Sequence, residues 1–223
     1  MRIAELSELS GVGIPSIKFY LREGLLPAGE KTSANQTNYA EEHLTRLKLV
    51  RALIDVGGLS VSSASAVLAA IDNTAMPLDW AFGVAQRAAS KSFPTTDVAP
   101  STSAVSRVAE LAAARGWAAE RSNPGVALAA RVIDTFTAMN HDALLGALPA
   151  YAEAADIVAA ADLAAVGSLP DRASQTEAVV IGTVLGDTLL AGLRRIAQAS
   201  LSHSLHLSGA PLEPIIDCKD ETL

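Results

Sequence analysis

One cysteine, Cys218, is all that the 223-residue chain contains. An intramolecular disulfide is excluded, as is a zinc site built on cysteines, and a reducing compartment is expected. Aromatic residues are scarce, at 4 % of the sequence, while 50 % is hydrophobic and much of that is alanine. Such a composition favours helices in close contact over a sheet core. Positive charge is short as well: 17 Lys and Arg stand against 24 Asp and Glu, for a net charge of −7. Overall charge alone therefore disfavours nucleic-acid binding. Long apolar runs are missing too. The longest, AVVIGTVLGDTLLAGL at 178–193, is broken by Asp187 and ends at Arg194 and Arg195. It is expected to be too short and too charged to span a bilayer. At the start of the chain, Glu5 and Glu8 interrupt any signal-peptide pattern. These absences imply a soluble cytoplasmic protein that makes no membrane contact.

What is present is organised along the chain. Residues 2–10 carry Ile3, Leu6 and Leu9 on one helical stripe, and GVG at 11–13 reads as a turn. Pro15 suits the first turn of a second helix, which ends near Arg22 or Glu23 with Gly24 just beyond it. Two short helices joined by a glycine turn make a helix-turn-helix. LLPAGEKTSANQTNYA then lacks helical period, and two short strands around a turn at 33–35 would form a wing. Helical spacing resumes through Leu44, Leu47, Val50 and Ile54, and Gly57-Gly58 ends it. A helix over 60–71 with Ser60 as N-cap and another near 77–91 follow. Residues 92–103, with two prolines and many Ser and Thr, read as a linker.

Beyond the linker the helical period persists. Val105, Val108 and Leu111 line one helix; Leu128, Val132, Phe136 and Met139 line a second that starts at Asn123-Pro124. Leu144, Leu148, Tyr151, Ala155 and Val158 line a third. Residues 169–206 read as a long helix, apolar on two adjacent faces, which places it in the centre of a bundle or against a second subunit. The expected fold class is mainly α: a winged helix-turn-helix with a small two-stranded wing, followed by a helical bundle.

Charge is unevenly spread. Residues 1–72 hold seven Lys and Arg against eight Asp and Glu, so a DNA-binding face there must come from local clustering. SIKFYLREGLL at 16–26 and KTSANQTNY at 31–39 supply it. Ile17 and Leu21, four apart, would face the core, leaving Ser16, Lys18 and Tyr20 toward base edges. Lys18, Arg22, Lys31, Ser33, Thr37 and Tyr39 offer the cations and hydroxyls that phosphates need.

The order RIAELSELSGVGIPSIKFYLREGLLP, then NY, then EEHLTRLKLVRAL resembles the DNA-binding domain of MerR-family transcription regulators. The match lies in Lys18-Phe19-Tyr20, in Arg22-Glu23-Gly24-Leu25-Leu26 and in residues 41–53, and covers about a third of the chain. The resemblance implies DNA contacts at Ser16, Lys18, Tyr20, Arg22, Lys31, Ser33, Gln36, Thr37 and Tyr39. It also implies a homodimer that binds double-stranded promoter DNA, twists an overlong spacer and so acts indirectly on RNA polymerase. One departure stands out: family wings carry an arginine where this chain has Thr37. Asn35 keeps the left-handed backbone open to a glycine-like residue. On this reading residues 1–72 bind DNA, 73–91 connect and dimerise, 92–103 link, 104–207 bind an effector or dimerise, and 208–223 form a tail.

The effector is expected to be an apolar organic molecule, with Trp117, Phe136, Met139 and Tyr151 as the large side chains able to line its site. His203 and His206, three apart, lack a third metal ligand, so neither a metal nor another cofactor is expected. Gly182 and Gly186 suit close helix approach and form no phosphate loop. No convergent set of titratable residues supports an enzyme. A helical interaction module that has lost specific DNA binding is the competing reading.

Overall fold

The computed structural model of the chain describes residues 1–33, 36–93, 98–118, 120 and 122–208. The expected wing turn at Asn35 and the expected tail with Cys218 lie outside the described residues. Helices α1 (Ile3–Ser10) and α2 (Ile14–Arg22) are joined by Gly11, whose φ of 67° is left-handed. Pro15 sits in the first turn of α2, where no intrahelical partner for its nitrogen is required. Gly24, at φ 72°, reverses the chain after α2, and Leu25 and Leu26 donate their N–H groups back to the Tyr20 carbonyl.

Strands β1 (Glu30–Ser33) and β2 (Gln36–Asn38) pair antiparallel, with Glu30 opposite Asn38 and Lys31 opposite Thr37. An irregularity at Thr32 shifts the register by one residue. Helix α3 (Glu41–Arg51) continues as a π turn over Ala52–Val56, closed by the Gly57 N–H bonding the Ala52 carbonyl at 2.9 Å. Helix α4 (Val61–Asp72) starts at Ser60, whose hydroxyl accepts from the Ser63 N–H at 3.1 Å. Helix α5 (Leu78–Ser90) follows. Its alanines 81, 85, 88 and 89 are buried, and these small side chains let α4 and α5 lie close together.

Helices α6 (Thr102–Ala114) and α7 (Pro124–Ala138) pack on each other, and a 3-10 turn over Asp142–Ala147 leads into α8 (Leu148–Gly167) and α9 (Arg172–Ser208). Helix α6 takes in the last two residues of the expected linker because Ser101 caps it, accepting from the Ala104 N–H at 3.1 Å. The chain divides into two units, Met1–Leu185 and Gly186–Leu223.

Two cores support the N-terminal elements. Leu6, Ile17, Leu26, Leu44 and Leu47 fill the first. The second joins Leu25, Val50, Leu53, Leu59, Val67 and Leu68 to Ala85 of α5 and to Val180 and Val184 of α9. Each such side chain contributes about 1.5–3 kcal/mol on burial. The DNA-binding region expected at 1–72 is therefore completed by residues more than a hundred positions later. Gly57 permits this: a Cβ there would collide with Val184 Cγ1 and the Leu53 carbonyl.

In the second unit, the helix from Gly186 onward carries Leu189, Leu193 and Ile196 at spacings of four and three, and they are 64, 55 and 69 % exposed. Asp187, Arg194, Arg195 and Gln198 lie around the rest of its circumference, which makes this part amphipathic. One expectation is corrected here. Arg172–Leu205 and Asp142–Gly167 are both long and apolar enough to cross a bilayer by length and composition, because neither helix stops where the apolar run of the sequence stops.

Candidate nucleic-acid interface

Helix α2 has two sides. Ile17 is fully buried, and Ile14, Tyr20 and Leu21, half-buried, complete the arc that faces the cores. Ser16, Lys18 and Arg22 are exposed on the remaining arc with Phe19 beside them. The Arg22 guanidinium lies over the Phe19 ring at 5.9 Å, a cation–π arrangement that steadies the arginine without neutralising it.

Lys31, Ser33 and Gln36 are exposed on the wing and Thr37 is half-buried. Arg2, which the sequence reading did not single out, reaches this wing. Its Nη2 donates to Gln36 Oε1 at 2.7 Å and its Nη1 to Thr32 Oγ1 at 3.3 Å. The two residues lie 30 and 34 positions away in sequence, so no local signal marks Arg2. Both acceptors are neutral, and among the described residues no ion pair to a carboxylate engages this guanidinium. The fork keeps its charge and spare N–H donors.

Two expected contacts are placed differently. Tyr39 is 6 % exposed, packed edge-on against His43 with centroids 5.3 Å apart. Its ring belongs to the core, and its N–H, just past the end of β2, donates to the Met1 carbonyl at 2.8 Å. Tyr20 follows Ile17 by three residues, so helical geometry carries it to the core flank, where it touches both cores. Burial, with Asp55 nearby, raises its hydroxyl pKa above the usual tyrosine value. His43 is buried, and its Nδ1 accepts from the Ala40 N–H at 3.1 Å, a capping role at the start of α3.

Part-buried and exposed polar ties fix the orientation of these elements. Arg46 donates from Nε to the Leu25 carbonyl at 3.0 Å and grips Asp72 with both terminal nitrogens at 2.8 and 2.6 Å. The loop after α2 is thus fastened to α3 and α4. Arg51 bonds Asp55 at 3.0 Å and the Ser10 carbonyl at 3.4 Å, holding the helix-turn-helix from beneath.

The large side chains expected at an effector site lie at the ends of α6 and α7, within α7 and on α8. Trp117 donates from Nε1 to Asp156 at 2.6 Å, at the end of α6, and Met139 is 51 % exposed beyond the end of α7. Tyr151 lies exposed on α8. Phe136 lines a cavity of about 340 Å³ between α7 and the segment at 98–100. Among the described residues no cluster of three His, Cys, Asp or Glu is placed to hold a metal; the His206 side chain and Cys218 are not among them.

Comparison with known proteins matches this geometry. Residues 1–71 fit the model of the MerR HTH family regulatory protein. A 50-residue stretch is 38 % identical to the HTH-type transcriptional regulator ZntR homolog of Haemophilus influenzae, covering 22 % of this chain and 37 % of that one. The match thus spans little more than a third of that relative's length. Among solved structures, SCO5550, a candidate transcriptional regulator from Streptomyces coelicolor A3(2), is 30 % identical with a TM-score of 0.61. That likeness covers 96 % of this chain and all of the other.

Proposed function

The chain belongs to the MerR family of helix-turn-helix regulators, and from that premise we infer how this DNA-binding transcription regulator works. It binds double-stranded promoter DNA as a homodimer in the cytoplasm. The exposed arc of α2 enters the major groove, with Ser16, Lys18 and Arg22 at base edges and flanking phosphates. The wing lies on the backbone with Lys31, Ser33, Gln36 and Thr37, and Arg2 supplies there a cation that compensates for the threonine at 37. A two-fold dimer implies a palindromic operator. Twisting the DNA between the polymerase elements, at a deformation cost met by protein contacts, then acts on RNA polymerase indirectly. A small organic effector controls the step.

The observation that carries the DNA reading is the one-sided α2, cationic outward and packed inward, beside a wing that presents two cations, Arg2 and Lys31. The amphipathic part of α9 supports the dimer. Leu189, Leu193 and Ile196 repeat as a coiled-coil seam repeats, which suits a second copy of the same helix. Its charged opposite side argues against a bilayer span, which would be apolar all round.

Fluorescence anisotropy with the duplex just upstream of the protein's own coding region tests this, at several salt concentrations and against a scrambled duplex. Tighter binding to the native duplex, weakening steeply with salt, is expected. Equal weak binding to that duplex, to neighbouring promoter duplexes and to the scrambled control would refute specific recognition. It would favour the helical interaction module instead.

A further inference from the structure

The cavity beside α7 has a built character that the DNA-binding machinery does not use. Leu128, Arg131, Val132, Thr135 and Phe136 fall at intervals of three, one, three and one, so they form one face of the helix. Val98 and Pro100, from the segment that leads into α6, form the facing wall. The cavity is open to solvent on one side, and its volume of about 340 Å³ lies in the range of small-molecule sites. Its walls are apolar with one cation, Arg131.

One nitrogen of that half-buried arginine is unsatisfied. Its Nε is buried and has no hydrogen-bond partner, and among the described residues no ion pair engages its guanidinium. A buried donor left unpaired is costly, so such groups mark places where a partner is missing. The other charged residue in the wall, Asp134, is already committed. Its two oxygens accept from the Ser101 N–H at 2.7 Å and the Ser101 hydroxyl at 2.5 Å. These bonds hold its pKa below the ordinary aspartate value, the hydroxyl contributing most.

We propose that this cavity is the effector site and that it takes a small organic carboxylate. The carboxylate pairs with the two terminal nitrogens of Arg131, in the two-bond geometry that guanidinium favours. The apolar body lies on Leu128, Val132 and Phe136 and is covered by Val98 and Pro100. A dianionic phosphate is disfavoured, because Asp134 places a fixed negative charge in the same wall. The site deepens the effector-responsive reading above and rests on it. Occupancy would act on the 98–101 segment, which the Asp134–Ser101 bonds fasten to α7, and α7 itself packs against α5.

The test uses the full chain and two fluorescent probes of equal shape, 2-naphthoate and its neutral amide, 2-naphthamide. The acid should bind saturably at one site per chain, on the order of tenfold tighter than the amide. Arg131→Gln should abolish that preference while the amide still binds, and Arg131→Lys should restore part of it. Should Arg131→Gln fail to fold by circular dichroism, Val132→Trp keeps the arginine, fills the cavity and should block the acid. Equal binding of acid and amide by the wild-type protein would overturn the proposal. So would undiminished acid binding by Arg131→Gln or Val132→Trp, or no saturation by the acid up to roughly 10 mM. Anisotropy with DNA, run in parallel, separates the two readings: naphthoate binding without DNA binding would sink the regulator, and the reverse result would sink this site alone.

Discussion

Arg2→Ala is the most discriminating perturbation of the wing. Arg2 is exposed, and among the described residues its guanidinium is held by Thr32 and Gln36, at 3.3 and 2.7 Å. If the spare donors meet a phosphate, removing them lowers the magnitude of the slope of log affinity against log salt by about 0.9. A fourfold rise in salt should then weaken the wild-type complex by about 3.5-fold more than the Arg2→Ala complex. At a fixed salt near 0.1 M the variant should bind on the order of tenfold more weakly, the worth of one charge-assisted hydrogen bond. Arg2→Lys separates charge from geometry. It should keep the wild-type slope and lose only part of the affinity, because an ammonium binds phosphate without holding both wing acceptors. Anisotropy across a salt series, with melting temperatures measured alongside, reads all three proteins. Parallel wild-type and Arg2→Ala lines would refute the phosphate contact and leave Arg2 as a brace for Gln36.

Other consequences follow from the packing. Arg46→Ala should cost about 2–3 kcal/mol in urea unfolding, since it orphans the Leu25 carbonyl as well as breaking the ion pair. Asp72→Ala, at the exposed end of the same pair, should cost only about 0.5–1 kcal/mol; equal costs would contradict this division. Gly57→Ala should destabilise by about 1–3 kcal/mol, because α9 cannot approach past the new Cβ, and an unchanged melting temperature would count against that packing. If α9 forms the proposed dimer seam, Leu193→Glu should weaken self-association by roughly thirtyfold or more in analytical ultracentrifugation, and an unshifted equilibrium would refute that seam. Asp134→Asn should lower the melting temperature at neutral pH. Its folded pKa is depressed, so the contribution is fully present above the unfolded value and lost as pH falls through the folded one. The gap to wild type should stay constant above about pH 5 and close below about pH 4.

Much of the DNA-binding fold was legible because its signals are local. Gly11 and Gly24 stand at left-handed φ, Pro15 in a first turn and Ser60 at an N-cap, each dictated by neighbours within four residues. The Lys18 and Arg22 side of α2 followed from helical spacing against Ile17. The same spacing sets Tyr20, three residues after Ile17, on the core flank. The start of α6 was legible in principle from Ser101 ahead of an apolar stripe. The effector residues were chosen by size alone, and size carries no information about which helix faces meet.

By itself the sequence determined the helix-turn-helix, the wing and the helical period of the rest, because capping, turn chemistry and amphipathic spacing act over a few residues. Only the tertiary structure decided that Val180 and Val184 complete the core of the DNA-binding region, that Arg2 reaches the wing, and that Arg131 stands unpaired in a cavity. Each of these depends on where two distant segments come to rest. That outcome is set by the summed burial of many side chains, of which Gly57 against Val184 is one point of closest approach.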